Sequence, residues 1–417
     1  MREAINATTV DFLVSPAGRE AAAELNASLP NDALDDAHLP RLLTELRRRF
    51  SPEQAGALAA LARLRRRAAT KFPAAERLFF TAEALEQATT HAIATHRAAW
   101  IDAHAPPGPV LDLGCGIGGD TLALARLRRV IAYETDPVRR RLAQTNAETL
   151  GLDDRIDFRG DDWTVELAAG RLPETAAAFA DPARRSEGRR LFRLNALIPP
   201  IAVLLQLQTV IPALGVKIMP GVDDADIPPA AGIQFISHDR VCKEAVLWFG
   251  PLAGPHPEEP ALSVAKGSRW AAVHTDGGWR TLVASGAPPP LGDLQPCMAL
   301  HEPDPAVIRA GAFAELCRRL DAHLFDPQIA YLVGPADRTD PLAQSFRILE
   351  LHPFSLKLLQ ARLAALGMTY VELKKRGAPF APETLRGRLK FPPGDRSGVV
   401  LFTRRGDDRI MILAERL

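Results

Sequence analysis

VLDLGCGIGGDTLALA, residues 110–125, decides the fold. It runs from an apolar strand (110–113) through a glycine turn (Gly114, Gly116, Gly118, Gly119) into a helix over 121–125. A strand, a tight turn and a helix N-terminus in one short window bring the backbone close to a small ligand. Outward from this stretch, strand and helix patterns alternate. Strand 110–113 and helix 119–128 are followed by strand VIAYE (130–134), a helix opened by Asp136-Pro137, and strand RIDFRGD (155–161). AAAFADP (176–182), a long helix from about 191 to 208 and VKIMP (216–220) continue the series. Alternation of this kind predicts an α/β class with a mostly parallel, Rossmann-like sheet, helices on both faces and the ligand at the carboxyl ends of the strands. GIQFISHDR and VCKEAVLWFG, within 232–250, read as a strand pair closing one edge.

The flanks have other textures. Residues 1–95 read as helices: AGREAAAEL (17–25), LPRLLTELRRRFS (39–51) and SPEQAGALAALARLRRRAA (51–69), the last opened by Ser51-Pro52-Glu53. The LRRR at 64–67 reads as a solvated helix face. TAEALEQATTHAIATHRAAWI (81–101) reads as one helix leading to the first strand. Beyond residue 252, proline-rich PLAGPHPEEP (251–260) and GAPPPLGD (286–293) flank a hairpin centred on Asp276-Gly277-Gly278, followed by a helix over 305–323. From about residue 330 strands and helices form a small α+β domain with fifteen basic and nine acidic side chains, an excess that makes nucleic acid a reasonable partner. The expected division is 1–95, 96–252, 260–328 and 330–417.

Bulk properties narrow the class. A chain of 417 residues with 47% hydrophobic content is long enough for two or three domains with ordinary cores. Fifty-one Lys and Arg nearly cancel fifty Asp and Glu, so nucleic-acid binding requires a local patch. Cys115, Cys242, Cys297 and Cys317 form no CxxC pair, which argues against a disulfide framework or a zinc site and suits a reducing cytoplasm. The first residues lack the apolar core of a signal peptide. Residues 194–216 carry no charge, but Pro199, Pro200, Pro212 and Gln206 favour a buried helix and strand over a membrane span.

Gly114, Gly116 and Gly119 also satisfy GxGxxG, a weak dinucleotide signal. Asp112 separates the ligands. A carboxylate two positions before the first glycine would face the pyrophosphate of a dinucleotide, whereas it suits a ligand with a positive end. S-adenosylmethionine has a cationic amino group and sulfonium, and its carboxylate can meet the helix N-terminus. Glu134, closing the second strand, is placed for ribose hydroxyls, and Asp161, after the third, for the adenine amino group. A nicotinamide or other nucleotide is the alternative.

With these residues the sequence resembles the class I methyltransferases, in which a D-x-G-x-G-x-G turn, an acid after strand two and an Asp after strand three bind the cofactor. That resemblance assigns Asp112, Gly114, Cys115, Gly116, Gly118, Glu134 and Asp161 to S-adenosylmethionine. LEQATT (85–90), FADPARR (179–185), VKIMPGV (216–222), CKEAVLW (242–248), the segment 301–312, FRILEL (346–351) and KKRG (374–377) with PETLRGRL resemble bacterial methyltransferases carrying a ferredoxin-like segment and a THUMP-like C-terminal domain. The resemblance covers nearly the whole chain after residue 70. It implies an RNA substrate, tRNA or rRNA, without identifying the base.

The acceptor end falls on Asp181-Pro182-Ala183-Arg184. Methyl transfer from a sulfonium needs alignment and exclusion of water, and no metal. Amine-methylating relatives have D/N-P-P-aromatic here; Ala183 and Arg184 depart from that. Asp181, Pro182 and Arg184 are the candidate catalytic group, with Asp181 orienting the nucleophile or taking its proton and Arg184 stacking on a base or gripping a phosphate. DPAR is also similar to the DPPR turn of pyrimidine-carbon methyltransferases, which need a nucleophilic cysteine; Cys242 is the nearest candidate, though a small buried strand residue explains it better. Lys374, Lys375, Arg376 and Arg386 are a candidate phosphate-gripping edge. Two rivals remain: a small-molecule methyltransferase whose extra domains shape the pocket, and a non-catalytic RNA-binding or assembly factor on the same scaffold.

Overall fold

The computed structural model describes residues 4–28, 34–184, 193–253, 267–379, 382–391 and 393–417. The chain forms two compact units, residues 1–231 with 246–266, and residues 232–245 with 267–417.

The first unit opens with helices. Asn6 starts Ala7–Val14 through a reciprocal cap with Thr9, and Ser51 starts Pro52–Ala68 through one with Gln54, as the Ser-Pro-Glu signal indicates. Their apolar faces share one core that contains Leu13, Leu58, Leu61, Phe79 and Phe80 and reaches Ile117 in the glycine turn. Arg65 departs from the expected solvated face. It is buried, donates to the carbonyls of Leu78, Ala22 and Arg77, and lies over the Phe79 ring; burial holds its guanidinium down at about 10.

Residues 81–101 are two helices, Ala82–Gln87 and His91–His104. Ala88 is extended, and Lys71 Nζ donates to the carbonyls of Leu85, Glu86 and Ala88, satisfying the end of the first helix and allowing the chain to turn. This break carries Thr89 to the cofactor turn. The helix expected from about 191 to 208 is likewise shorter, Ile201–Val210, because Pro199 and Pro200 cannot lie inside a helix; a short strand, Leu197–Ile198, precedes it.

Five parallel strands form the centre of this unit in the order Leu214–Ile218, Ala177–Ala180, Val110–Leu113, Val130–Tyr133 and Ile156–Arg159. Phe249, just after strand Val241–Trp248, donates to the Leu214 carbonyl. Gly215 is required where it stands, since a Cβ there would lie 2.5 Å from the Trp248 ring. The register sets Leu113 beside Tyr133 and Ala180, Tyr133 beside Arg159, and Ala180 beside Val216. The next residues along each strand, Gly114, Glu134, Gly160, Asp181 and Lys217, therefore follow one aligned row at the carboxyl end.

In the second unit Gly232–His238 lies parallel to Arg269–Thr275, which turns back into Gly278–Val283 as the Asp-Gly-Gly signal indicates. The helix expected over 305–323 breaks at Gly311, whose φ of +74° ends Pro305–Ala310 before Phe313–Leu320 begins. A seven-stranded sheet follows in the order His323–Leu324, Leu332–Gly334, Ala299–Pro303, Ala343–Pro353, Asp408–Arg416, Arg396–Arg405, Met368–Lys375. Strands before and after residue 330 thus hydrogen-bond in one sheet, because Ala299–Pro303 pairs with both Leu332–Gly334 and Ala343–Pro353. Leu359 and Leu363 of helix Leu356–Ala365 pack with Val400, Phe402 and Leu413 over one of its faces. No helix among the described residues is long and apolar enough to cross a membrane.

Candidate active site

The glycine turn is built by its own backbone. Gly114 and Cys115 both donate to the Tyr133 carbonyl at 3.0 Å, and Gly118 donates to Cys115 O at 2.9 Å before helix Gly119–Ala125 begins. Gly114, Gly116 and Gly118 have φ of +90°, +58° and +94°, values that glycine reaches without strain. At Gly116 an added Cβ would meet nothing within 4 Å, so open space lies against the turn there. At Gly114 it would come 3.3 Å from Asp181 O, so the turn at Asp181 runs directly beside the glycine turn.

Three acids hold different positions. Asp112 is buried in the first strand and accepts from the Thr121 hydroxyl of the following helix. Burial, then the neighbouring Asp120 carboxylate, and to a lesser extent Asp181, push its carboxyl up to about 7 against the Thr121 bond and Arg97. Glu134 is buried and uses both oxygens on backbone: Oε2 accepts from Gly116 N–H and Oε1 from Asp136 N–H, each at 2.9 Å. Asp161 is exposed, and its neighbour Asp162 caps helix Trp163–Ala168 in its place. Cys115 is buried, and burial next to Asp112 and Glu134 raises its thiol well above the usual range.

Asp181 starts the turn after strand Ala177–Ala180. Its N–H donates to Leu113 O at 3.2 Å, and Oδ2 accepts from Lys217 Nζ at 2.7 Å. Lys217 also donates to Thr89 Oγ1 at 3.1 Å. Thr89 backbone atoms approach within 4 Å of the position a Gly119 Cβ would take, so the helix break closes over the turn. Pro182 is buried. The Arg184 backbone lies in strand Ala183–Arg184, paired with Leu197–Ile198, while its side chain and Arg185 fall outside the described residues. Arg97 pairs with Asp120 and lies over the Phe179 ring, fixing helix His91–His104 to the helix after the turn.

Lys217, Thr89 and Asn146 are functional candidates that sequence reading missed. Asn146 exchanges two hydrogen bonds with the Phe79 backbone and donates a third to Ile117 O inside the glycine turn. A signal for Lys217 did exist: a lone cation in the apolar run LGVKIMP, one residue beyond the level at which the fourth strand ends.

The comparisons fit this geometry. Relatives from two strains of Mycobacterium tuberculosis, described as uncharacterized S-adenosylmethionine-dependent methyltransferases, are 33% identical over 353 residues, covering 82% of this chain and 91% of theirs. The chain belongs to the S-adenosylmethionine-dependent methyltransferases. A family model described as RNA cap guanine-N2 methyltransferase matches residues 108–182 of the enzyme, and a THUMP domain-like model matches residues 343–416. A domain of unknown function matches residues 6–68. The methyltransferase also shares its fold with a solved methyltransferase structure from Porphyromonas gingivalis, with a TM-score of 0.72 at 19% identity over 95% of this chain and 97% of that one.

Cys242 is half-buried in strand Val241–Trp248, and burial followed by Asp304 pushes its thiol up to about 12, the opposite of an activated nucleophile and in line with the strand-residue reading. The C-terminal cations depart from the sequence reading in detail. Lys374 and Arg376 are not free cations: both pair with Glu302, at 2.6 and 3.4 Å. Lys375 is exposed, and Arg386 donates to Val371 O while lying over the Tyr370 ring. The four therefore do not form a single patch. Among the described residues no group of three His, Cys, Asp or Glu side chains could hold a metal ion.

Proposed function

We propose that the enzyme methylates RNA, with Asp112, the turn from Gly114 to Gly118, Glu134 and Asp161 binding S-adenosylmethionine and Asp181 meeting the acceptor. The residues fit the cofactor. A buried carboxyl poised near 7 becomes ionised when a cation arrives, the space against Gly116 admits a ligand up to the backbone, and Glu134 keeps further lone pairs beyond the two backbone bonds it accepts. When bound, the cofactor supplies an electrophilic methyl group; the chain's own residues orient the acceptor and exclude water.

The observation that carries the RNA reading is the THUMP domain-like match over residues 343–416, on the same chain as the cofactor turn. This domain presents the RNA through exposed Lys375, with Arg347 and Arg396, which lie 3.9 and 3.7 Å from Glu415, Arg416, which lies 2.7 Å from Glu372, and Lys374, Arg376 and Arg386 contributing as far as their internal partners allow. Two measurements test the reading. Calorimetry should show micromolar-range S-adenosylmethionine binding that Asp112→Ala abolishes; wild-type protein that ignores the cofactor would overturn the cofactor site. Gel-shift titration with total cellular RNA should show salt-sensitive binding, and its absence would leave a small-molecule acceptor.

A further inference from the structure

Lys217 changes the chemistry of the acceptor side. Its ammonium lies 2.7 Å from Asp181 Oδ2 and 3.1 Å from Thr89 Oγ1, and its side chain is 14% exposed against 36% for Asp181. Gly114, Asp181 and Lys217 follow aligned positions of adjoining strands, so the ion pair stands beside the cofactor turn at the open end of the sheet. The match to guanine-N2 methyltransferases ends at residue 182 and includes Asp181 but not Lys217.

An amine acceptor gives its N–H groups to an acid or amide oxygen while positive charge develops on its nitrogen. Here one oxygen of the acid pairs with an ammonium, leaving the other to accept, and that ammonium itself only donates and repels a nitrogen on which positive charge develops. Arg184 also stands at the position of the aromatic ring, where it can grip a phosphate instead of stacking on a base. A hydroxyl acceptor has the reverse requirement: it sheds a proton while negative charge grows on oxygen. Lys217 can stabilise that charge and Asp181 can take the proton.

Resting on the RNA reading above, we propose that the methyl acceptor is a ribose 2′-hydroxyl, held against the Lys217–Asp181 pair. As the hydroxyl oxygen's lone pair forms the bond to the methyl carbon, the pair of the breaking carbon–sulfur bond stays on sulfur, leaving a neutral thioether. The hydroxyl proton passes to the Asp181 carboxylate and from there to water. Lys217 keeps its protons throughout and donates to the oxygen. Thr89 is a positioning residue that fixes the ammonium from the helix break.

The test uses the full chain, S-adenosylmethionine labelled in the methyl group, and RNA from a strain lacking the gene. A 2′-O-methyl group blocks alkaline cleavage of the adjoining phosphodiester, so label should appear in alkali-resistant dinucleotides. Lys217→Met and Asp181→Asn should each slow transfer about a hundredfold or more, with cofactor affinity held within about threefold. Lys217→Arg, which keeps the charge, should retain more activity than Lys217→Met, and Lys217→Gln, which removes the charge but stays polar, should be slowed like the methionine variant. Label in mononucleotides carrying a methylated base would overturn the ribose acceptor and leave the RNA reading standing. No label in RNA from an enzyme that binds the cofactor would overturn both. An unchanged rate in Lys217→Met, or in Lys217→Gln where the methionine variant does not fold, would remove Lys217 from the reaction.

Discussion

The backbone N–H of Gly116 donates to Glu134 Oε2 at 2.9 Å, so the acid ending the second strand ties down the turn after the first. Its other oxygen accepts from Asp136 N–H, at the start of helix Pro137–Leu150. Glu134→Gln cannot reproduce this, because the amide nitrogen must face one of the two N–H donors. The variant should lose about 1–2 kcal/mol of stability, and its affinity for S-adenosylmethionine should fall about tenfold or more. Urea denaturation and calorimetry check both; unchanged values would show that Glu134 is a bystander.

At the proposed cofactor site, Asp112 should make binding pH-dependent. Its carboxyl stays protonated in the folded protein up to about 7, whereas in the unfolded chain it ionises near 3.8. Between those values the folded state holds a proton that the unfolded state has released, so the Asp112 contribution to stability falls as pH rises from about 4 to about 7 and then levels off. A cationic ligand favours the ionised form, so binding releases a proton. Affinity for S-adenosylmethionine should therefore rise with pH, by up to about tenfold per unit, and flatten above about 7. Asp112→Asn should bind weakly with no such slope, and its stability should fall less between pH 4 and 7. Equal slopes in wild type and variant, measured by calorimetry at several pH values, would assign the linkage to another group.

Much of this was legible because it is local. The glycine turn, the Asp136-Pro137 and Ser51-Pro52 helix starts and the Asp-Gly-Gly hairpin follow from residue types at short spacing. The misses come from long-range partners. Nothing near Ala88 shows that Lys71 will cap the helix ending there, and nothing in KKRG shows that Glu302, some seventy positions earlier, will pair with two of its cations. Arg65 reads as a surface charge until the carbonyls of Ala22 and Leu78 come within reach. Lys217 required the register between strands, which residue pattern alone does not supply.

The pairing in the C-terminal sheet separates two kinds of lysine. Lys374 gives its ammonium to Glu302 and Gln344, while exposed Lys375 is available to phosphate. Lys375→Ala should weaken RNA binding and reduce the slope of log affinity against log salt by about one phosphate contact. Glu302→Gln should do the reverse, since it removes the charge shared by Lys374 and Arg376, with Lys374 keeping Glu372 at 3.4 Å: tighter binding and a steeper salt dependence. Fluorescence anisotropy over a range of salt concentrations reads both, and equal losses for Lys374→Ala and Lys375→Ala would show that the Glu302 pairing does not withhold Lys374.

Asn146 links Phe79, in the core of the N-terminal helices, to the glycine turn. It is buried in helix Pro137–Leu150, accepts from Phe79 N–H at 2.8 Å, and donates to the carbonyls of Phe79 and Ile117, each at 3.1 Å. Asn146→Leu fills similar volume but strands three buried backbone groups, each of which costs about 1–3 kcal/mol when unpaired. Relaxation recovers part of that, so a net loss of about 3 kcal/mol is expected in urea denaturation. Affinity for S-adenosylmethionine should drop as well, because Ile117 belongs to the turn and loses its anchor. Asn146→Asp keeps the acceptor for Phe79 N–H but sets a carboxylate against two carbonyls, so it should be no more stable than the leucine variant. If Asn146→Leu weakens folding yet binds the cofactor as wild type does, the turn holds its shape without this link, and the N-terminal helices serve stability alone.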